Sequence, residues 1–314
     1  ERIRDLFNSQ HVYMDGTFKI TPSPYYQVFT INFMKRCAIS NVDKLFTGMT
    51  ILLTHKSQFM YHTVFSWLLD FLLQHWPDQP LLWQTAMMDF ETGLRPTLQQ
   101  LLPNLQLLLG CFFHFCQCIF RHVKSAGLQV AYNNPNSSLR LWLRKVMALA
   151  FLPINMVTET FHLLGENMFY AVQGDNLEQL PALDLLLEYI EDTWMEADKI
   201  PLWNVNVPNQ ANNDDAAVHR TNNDLEGYHL RLLFKFDRKP NFWKFIQLLQ
   251  QEQLTQDHQF NLIDEGGKMR PRGRIYRQNE ANIRIAKIDL QNQVITPLEF
   301  LNRVSMAIAS NNIM

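Results

Sequence analysis

Residues 11–20 alternate between apolar and polar positions and are rich in Val, Tyr, Thr, Phe and Ile, which predicts a β-strand. Thr21-Pro22-Ser23-Pro24 reads as a turn. Residues 25–34, with Val28, Phe29, Ile31 and Phe33, read as a second strand, and residues 46–53 as a third. Three consecutive strands with short connections predict an antiparallel meander. From residue 58 to 76 the apolar period changes to that of a helix, with Phe59, Val64, Trp67, Leu68, Phe71 and Leu72 near one face. Short apolar runs at 85–90 and 105–111 read as buried strands, each followed by a helix, at 93–102 and 112–125. Gly127 closes the second of these helices. After Gly127 the strands stop, and 137–151, 155–165 and 180–198 all carry helical spacing. Residues 208–215 are polar and Asn-rich, hence a loop. Further helices start near Asn222 and span 242–257.

The chain has 314 residues, 47% of them apolar, enough for a substantial core and too apolar for a disordered segment. A net charge of -2 argues against a passive nucleic-acid coat, which would be strongly basic. It leaves room for a local basic groove beside acidic residues. Three of the four cysteines, Cys111, Cys116 and Cys118, fall within eight positions, a poor layout for a disulfide-stapled secreted fold. The apolar stretch 101–120 is interrupted by Pro103, Asn104, Gln106, His114 and Gln117 and does not read as a membrane span. The chain opens on Glu1 rather than Met, which reads as a piece of something longer.

Three carboxylates stand in apolar or tightly capped settings: Asp15, Asp89 and Glu226. A carboxylate inside an apolar strand is costly to desolvate unless something positive meets it, and a metal ion would. Each acid has a plainer reading as well. Asp15 ends a strand and caps the turn at Gly16; Asp89 caps the next helix; Glu226 completes a capping box with Asn223. Glu91 competes with Asp89 as a ligand. All three are hard oxygen donors, which select Mg²⁺ or Mn²⁺ over zinc. Two such ions suit in-line phosphoryl displacement, the chemistry of nucleases and polynucleotidyl transferases.

The same residues carry a family resemblance. In order they are Asp15-Gly16-Thr17-Phe18-Lys19, Tyr26-Gln27-Val28-Phe29-Thr30-Ile31, Asp89-Phe90-Glu91 and Gly110-Cys111-Phe112-Phe113-His114-Phe115-Cys116-Gln117. Gly127-Leu128, Ala148-Leu149-Ala150-Phe151-Leu152-Pro153, Trp203-Asn204 and Arg220-Thr221-Asn222-Asn223-Asp224-Leu225-Glu226-Gly227-Tyr228-His229 follow. Across residues 11–255 the chain resembles the transposase domain of Mutator-like elements. That resemblance implies an α/β, RNase H-like mixed sheet flanked by helices and interrupted by an all-helical insertion between the second Asp and the Glu. The expected division is a first part of the core at 1–127, an insertion at 128–215, closing helices at 216–260 and a basic C-terminal tail at 261–314. The resemblance implies DDE-type DNA cleavage and strand transfer with two Mg²⁺ or Mn²⁺ ions, Asp15 bridging them and Asp89 and Glu226 each binding one. It implies DNA partners (transposon ends and target DNA), a homo-oligomer, no membrane and a nuclear location. Relatives carry an upstream zinc-binding module that this chain does not include. The rival expectations are a host-adopted relative that binds DNA without catalysis, and a nuclease acting on RNA.

Other candidates surround this set. Cys111 and His114 form a Cys-x-x-His pair matching a motif of the superfamily, read as a packing element or a contact near the DNA end. Arg220, His229 and Arg231 flank Glu226 and could hold phosphate. Lys268, Arg270, Arg272 and Arg274 lie in a Gly-containing segment that reads as a flexible basic arm. Arg140, Arg144 and Lys145 are the cations expected to turn the insertion toward DNA. Trp142, Trp194 and Trp203 read as core rather than stacking platforms.

Overall fold

The computed structural model describes residues 2–172, 180–206, 223–236, 238–271 and 273–309, without the side chains of Tyr170, Ala171, Leu180, Asn223, Asp224, Glu226 and Ala309. The Asn-rich segment read as a loop at 208–215 lies outside the described residues. The chain divides into two compact units, Glu1–Cys111 with Thr221–Pro271, and Phe112–Arg220 with Arg272–Met314.

The first unit holds a five-stranded mixed sheet flanked by helices, with strand order β3-β2-β1-β4-β5. Its elements are α1 (Arg2–Asn8), β1 (His11–Thr17), β2 (Gln27–Cys37), β3 (Val42–Leu53), α2 (Gln58–His75), β4 (Thr85–Met88), α3 (Leu94–Leu101), β5 (Leu107–Gly110) and, after the second unit's insertion, α11 (Asn223–Phe236) and α12 (Phe242–Asp264). The meander is antiparallel, whereas β4 pairs parallel to both β1 and β5. β1 and β4 are interior strands of the sheet, and Val12 to Asp15 and all four residues of β4 are buried.

Alternation sorts the two faces. Val12, Met14, Phe29, Ile31, Phe33, Ala86 and Met88 join one core with Phe65, Leu68, Leu98 and Phe260. Tyr13, Asp15, Thr30 and Asn32 point the other way. On β3, Gly48 is an extra residue: Ile31 pairs with Met49 but Asn32 with Thr47. The bulge leaves the Thr47 N–H outside the ladder, and it donates to Gln256 Oε1 of α12 at 2.9 Å. The Thr47 hydroxyl donates to Asn32 Oδ1 at 2.9 Å, so the buried polar residues here are satisfied.

The second unit is helical: α4 (Phe112–Ser125), α5 (Gln129–Asn133), α6 (Ser138–Ala148), a 3₁₀ turn (Leu149–Phe151), α7 (Ile154–Glu166), α8 (Met168–Ala171), α9 (Leu180–Trp194), α10 (Ile200–Trp203), α13 (Arg274–Gln291) and α14 (Pro297–Ala309). Gly127 ends α4 with φ +75. Leu128 N–H donates to Val123 O at 2.9 Å and Gly127 N–H to Lys124 O at 3.1 Å, closing the last carbonyls of the helix. Trp203 stacks flat on Phe115 at 4.6 Å, with Trp194 edge-on to the same ring at 5.2 Å. Trp142 and Trp203 donate their indole N–H groups to Leu164 O and Trp194 O. All three tryptophans are core.

Two features differ from the sequence expectation. α4 groups with the helical unit, so that unit begins at Phe112 rather than 128. Within the segment expected as a basic tail, Arg274–Gln291 form α13 and Pro297–Ala309 form α14, and α14 packs on α6 and α7. The stripe Asn279, Ile283, Ala286 and Leu290 of α13 is buried. A segment with such a stripe is held by packing, and its cations occupy the opposite face.

Candidate functional site

β1 and β4 run parallel with His11 beside Thr85, Val12 beside Ala86 and Tyr13 beside Met87. Asp15 follows Tyr13 by two residues and Asp89 follows Met87 by two, so the same register leads toward both acids, Asp89 standing just past the end of β4. Neighbouring strands stand about 4.8 Å apart. Met14 and Met88 face the large core, so by alternation Asp15 and Asp89 both face the opposite side. That side is where α11 packs on β1, through its buried stripe of Leu225, Tyr228, Leu232 and Phe236.

Asp15 is 7% exposed. Its Oδ1 accepts the Gly16 N–H at 2.8 Å, and its Oδ2 lies 3.4 Å from His229 Nδ1 of α11. The His229 Nε2 is buried and has no hydrogen-bond partner among the described residues. Glu226 lies one helical turn before His229 on α11, on the same side of the helix. Its side chain lies outside the described residues. Asp89 Oδ1 accepts the Phe90 N–H at 2.6 Å. The structure thus brings Asp15 and His229 into contact, and Asp89 follows the strand that pairs in parallel with the one bearing Asp15.

Glu91 is engaged elsewhere. Its Oε2 accepts from the Tyr61 hydroxyl and its Oε1 lies 3.9 Å from Lys56 Nζ. Tyr61 in turn accepts from Gln27 Nε2 at 2.8 Å, and a methyl on Gly16 would lie 2.9 Å from Gln27 Oε1. Hydrogen bonds therefore run from Gln27 of β2 through Tyr61 of α2 to Glu91 in the loop that bears Asp89, and the Gln27 side chain lies close against Gly16 of β1. Burial pushes the Glu91 carboxyl above the usual carboxylate range against the pull of Tyr61 and Lys56, and the charges of Asp89 and Asp15 add to the rise. Burial raises the Tyr61 hydroxyl too, and the Glu91 carboxylate adds to it.

Gln27, Tyr61 and Lys56 are not among the residues singled out by the sequence. Tyr61 is thirty positions from Glu91, and no local pattern pairs them. Lys56 did leave a signal. It precedes Ser57, the N-cap of α2, whose Oγ accepts the Met60 N–H. A cation is disfavoured there by the helix dipole.

Arg231 is half-exposed and donates to Glu252 Oε1 at 2.7 Å, while Lys235 Nζ lies 3.1 Å from Oε2 of the same carboxylate. Lys268 and Arg270 are exposed in the first unit. Arg274 is exposed at the start of α13 in the second unit. Arg220 and Arg272 lie outside the described residues. Arg140, Arg144 and Lys145 sit on α6 and are half-buried. The Arg140 guanidinium lies 5.6 Å from the centre of the Tyr132 ring, Arg144 donates to the Tyr132 hydroxyl, and burial lowers the Lys145 ammonium. Cys111 is buried just after β5 and its N–H donates to Met88 O at 2.9 Å. His114 lies in the first turn of α4. None of the four cysteines is in a disulfide.

Among the described residues, no group of three His, Cys, Asp or Glu is placed to hold a metal ion; the Glu226 side chain is not one of them. No helix among the described residues is long and apolar enough to cross a membrane. No family model matches the sequence, and no curated protein matches it.

Proposed function

We propose that the first unit carries a metal-dependent phosphoryl-transfer site acting on DNA, on an RNase H-like sheet of the kind found in the transposases of Mutator-like elements. The observation that carries this reading is the parallel β1–β4 register, which leads toward Asp15 on one strand and Asp89 just past the other, with α11, the helix that bears Glu226, packed on β1. Asp15 is buried and Asp89 half-buried, and a divalent cation is a suitable partner for carboxylates drawn out of water. Asp15, Asp89 and Glu226 would hold it, and their hard oxygen donors suit Mg²⁺ or Mn²⁺. Bound there, two such ions supply Lewis-acid activation of an attacking oxygen and stabilisation of a leaving one.

The chain's own groups do the rest. The Gly16 N–H fixes one oxygen of Asp15, and His229 lies against the other. The Gln27–Tyr61–Glu91 hydrogen bonds tie the loop after β4 to β2 and α2. Lys56, beside Glu91, lies within reach of a phosphate brought to the acids.

The test is cleavage of duplex DNA ends in Mg²⁺. Asp15→Asn, Asp89→Asn and Glu226→Gln should each abolish cleavage while leaving thermal stability close to that of the parent. Wild-type cleavage by any of the three removes that residue from the set. The His229 contact favours a second reading, in which Asp15 is the structural partner of the imidazole in a non-catalytic DNA-binding relative. On that reading, whatever the charge of the imidazole, Asp15→Asn would lower stability, and the parent protein would bind DNA without cutting it.

A further inference from the structure

Beside the acids lies an exposed corner that the phosphoryl-transfer reading does not use. Phe18 follows β1 and Tyr26 precedes β2. The rings meet edge to face at 5.4 Å, and they stay 42% and 47% exposed. An edge-to-face pair leaves ring faces open to a third planar group. Lys56 Nζ stands 5.9 Å from the Phe18 ring centre and 3.9 Å from Glu91. The corner is thus next to the acid site and already carries a cation.

Its surroundings are positive. From Gly16 to Leu69 the only acidic residue is Asp43. Asp43 pairs with Arg36 at the opposite end of β2 and β3. Lys19 is exposed, and its carbonyl accepts the N–H of Lys239, also exposed, at 2.9 Å. The segment 238–251 contains no acidic residue either. Open aromatic faces among cations are the chemistry that holds an unpaired nucleotide: the base stacks, and its phosphates meet the ammonium groups.

We infer that Phe18, Tyr26 and Lys56 form a stacking site for an unpaired DNA base adjoining the phosphate held at the acids. The ligand class rests on the phosphoryl-transfer reading; the corner itself does not. The substrate is then a DNA end with a single-stranded or frayed nucleotide rather than a fully paired one.

The test uses the full chain without divalent metal, so that nothing is cut. Two duplexes of equal phosphate number are compared, one blunt and one with a short single-stranded extension carrying 2-aminopurine. The extended duplex should bind roughly tenfold tighter, the scale of one base on one aromatic ring, and its fluorescence should be quenched. Phe18→Ala or Tyr26→Ala should remove both the preference and the quenching, leaving blunt-end binding in place. Tyr26→Phe should retain both. Lys56→Ala should weaken both duplexes and make the salt dependence shallower by about 0.7 to 0.9. Equal binding of the two duplexes by the parent protein, or quenching unaffected by both alanine variants, overturns the proposal and leaves the corner to a protein partner. Cleavage in Mg²⁺ is scored separately: its absence from the parent protein sinks the phosphoryl-transfer reading, while a lost extension preference sinks only the stacking site.

Discussion

Gln27 and Tyr61 are both fully buried; Gln27 Nε2 donates to the Tyr61 hydroxyl, and that hydroxyl donates to Glu91. Tyr61→Phe would remove the donor to the Glu91 carboxylate and the acceptor of Gln27 Nε2 at once. Two buried polar groups losing partners should cost about 2 kcal/mol at neutral pH, read from urea unfolding. The pH dependence follows from the raised Glu91 carboxyl. The folded chain keeps the proton on Glu91 above the ordinary value of 4.5, where the unfolded chain has lost it. The stability this contributes is full below 4.5 and is lost as pH rises through the raised folded value. In metal-free buffer Glu91→Gln should therefore flatten the decline in stability across that window. An unchanged slope would mean that Glu91 is ionised in the fold as in the unfolded chain. The sequence marks Asp15 and Asp89 because a carboxylate among apolar strand residues is costly. It cannot mark Tyr61 or Gln27, whose value comes only from partners far along the chain.

α11 carries the third acid, and a buried charge cluster ties it to its neighbour. Glu252 of α12 has a side chain only 3% exposed and meets both Arg231 and Lys235 of α11. The two sides of this cluster are unequal. Glu252→Gln leaves cations that are already partly in water and should cost only about 1 kcal/mol. Replacing both Arg231 and Lys235 with Met strands a buried carboxylate and should cost roughly 3 kcal/mol. Chemical denaturation of both variants checks the inequality, and equal losses would place the cluster in water. Most elements are legible because their apolar periods are strong: the meander, α2, α4 and α12 all fall close to their expected ranges. β4 and β5 are legible as short apolar runs, expected at 85–90 and 105–111 and formed over the shorter Thr85–Met88 and Leu107–Gly110. α1 and α13 were not anticipated. α1 is seven residues with two buried side chains, too short for a period to show. In α13 the basic run at 268–274 masks the stripe that starts at Asn279.

The chain is two packed units rather than a core with a tail. Phe300, Leu301 and Val304 of α14 are fully buried, in the helix that packs on α6 and α7. Deleting residues 272–314 should therefore lower the melting temperature sharply and expose apolar surface to a hydrophobic dye. A dispensable basic arm would leave both readouts where they were. The order of strands and helices was visible along the sequence, but the regrouping of α4 and of the C-terminal helices was not, because it depends on which apolar faces meet across long separations. The central claim is that Asp15, Asp89 and Glu226 share one divalent-cation site. Anomalous diffraction from a crystal grown with Mn²⁺ tests it most directly. The account predicts a manganese peak with oxygen ligands at about 2.1 Å from Asp15 and Asp89, completed by Glu226 from α11, and loss of the peak in Asp15→Asn. A map without manganese at the ends of β1 and β4, or with Asp15 still paired to His229 alone, would contradict it.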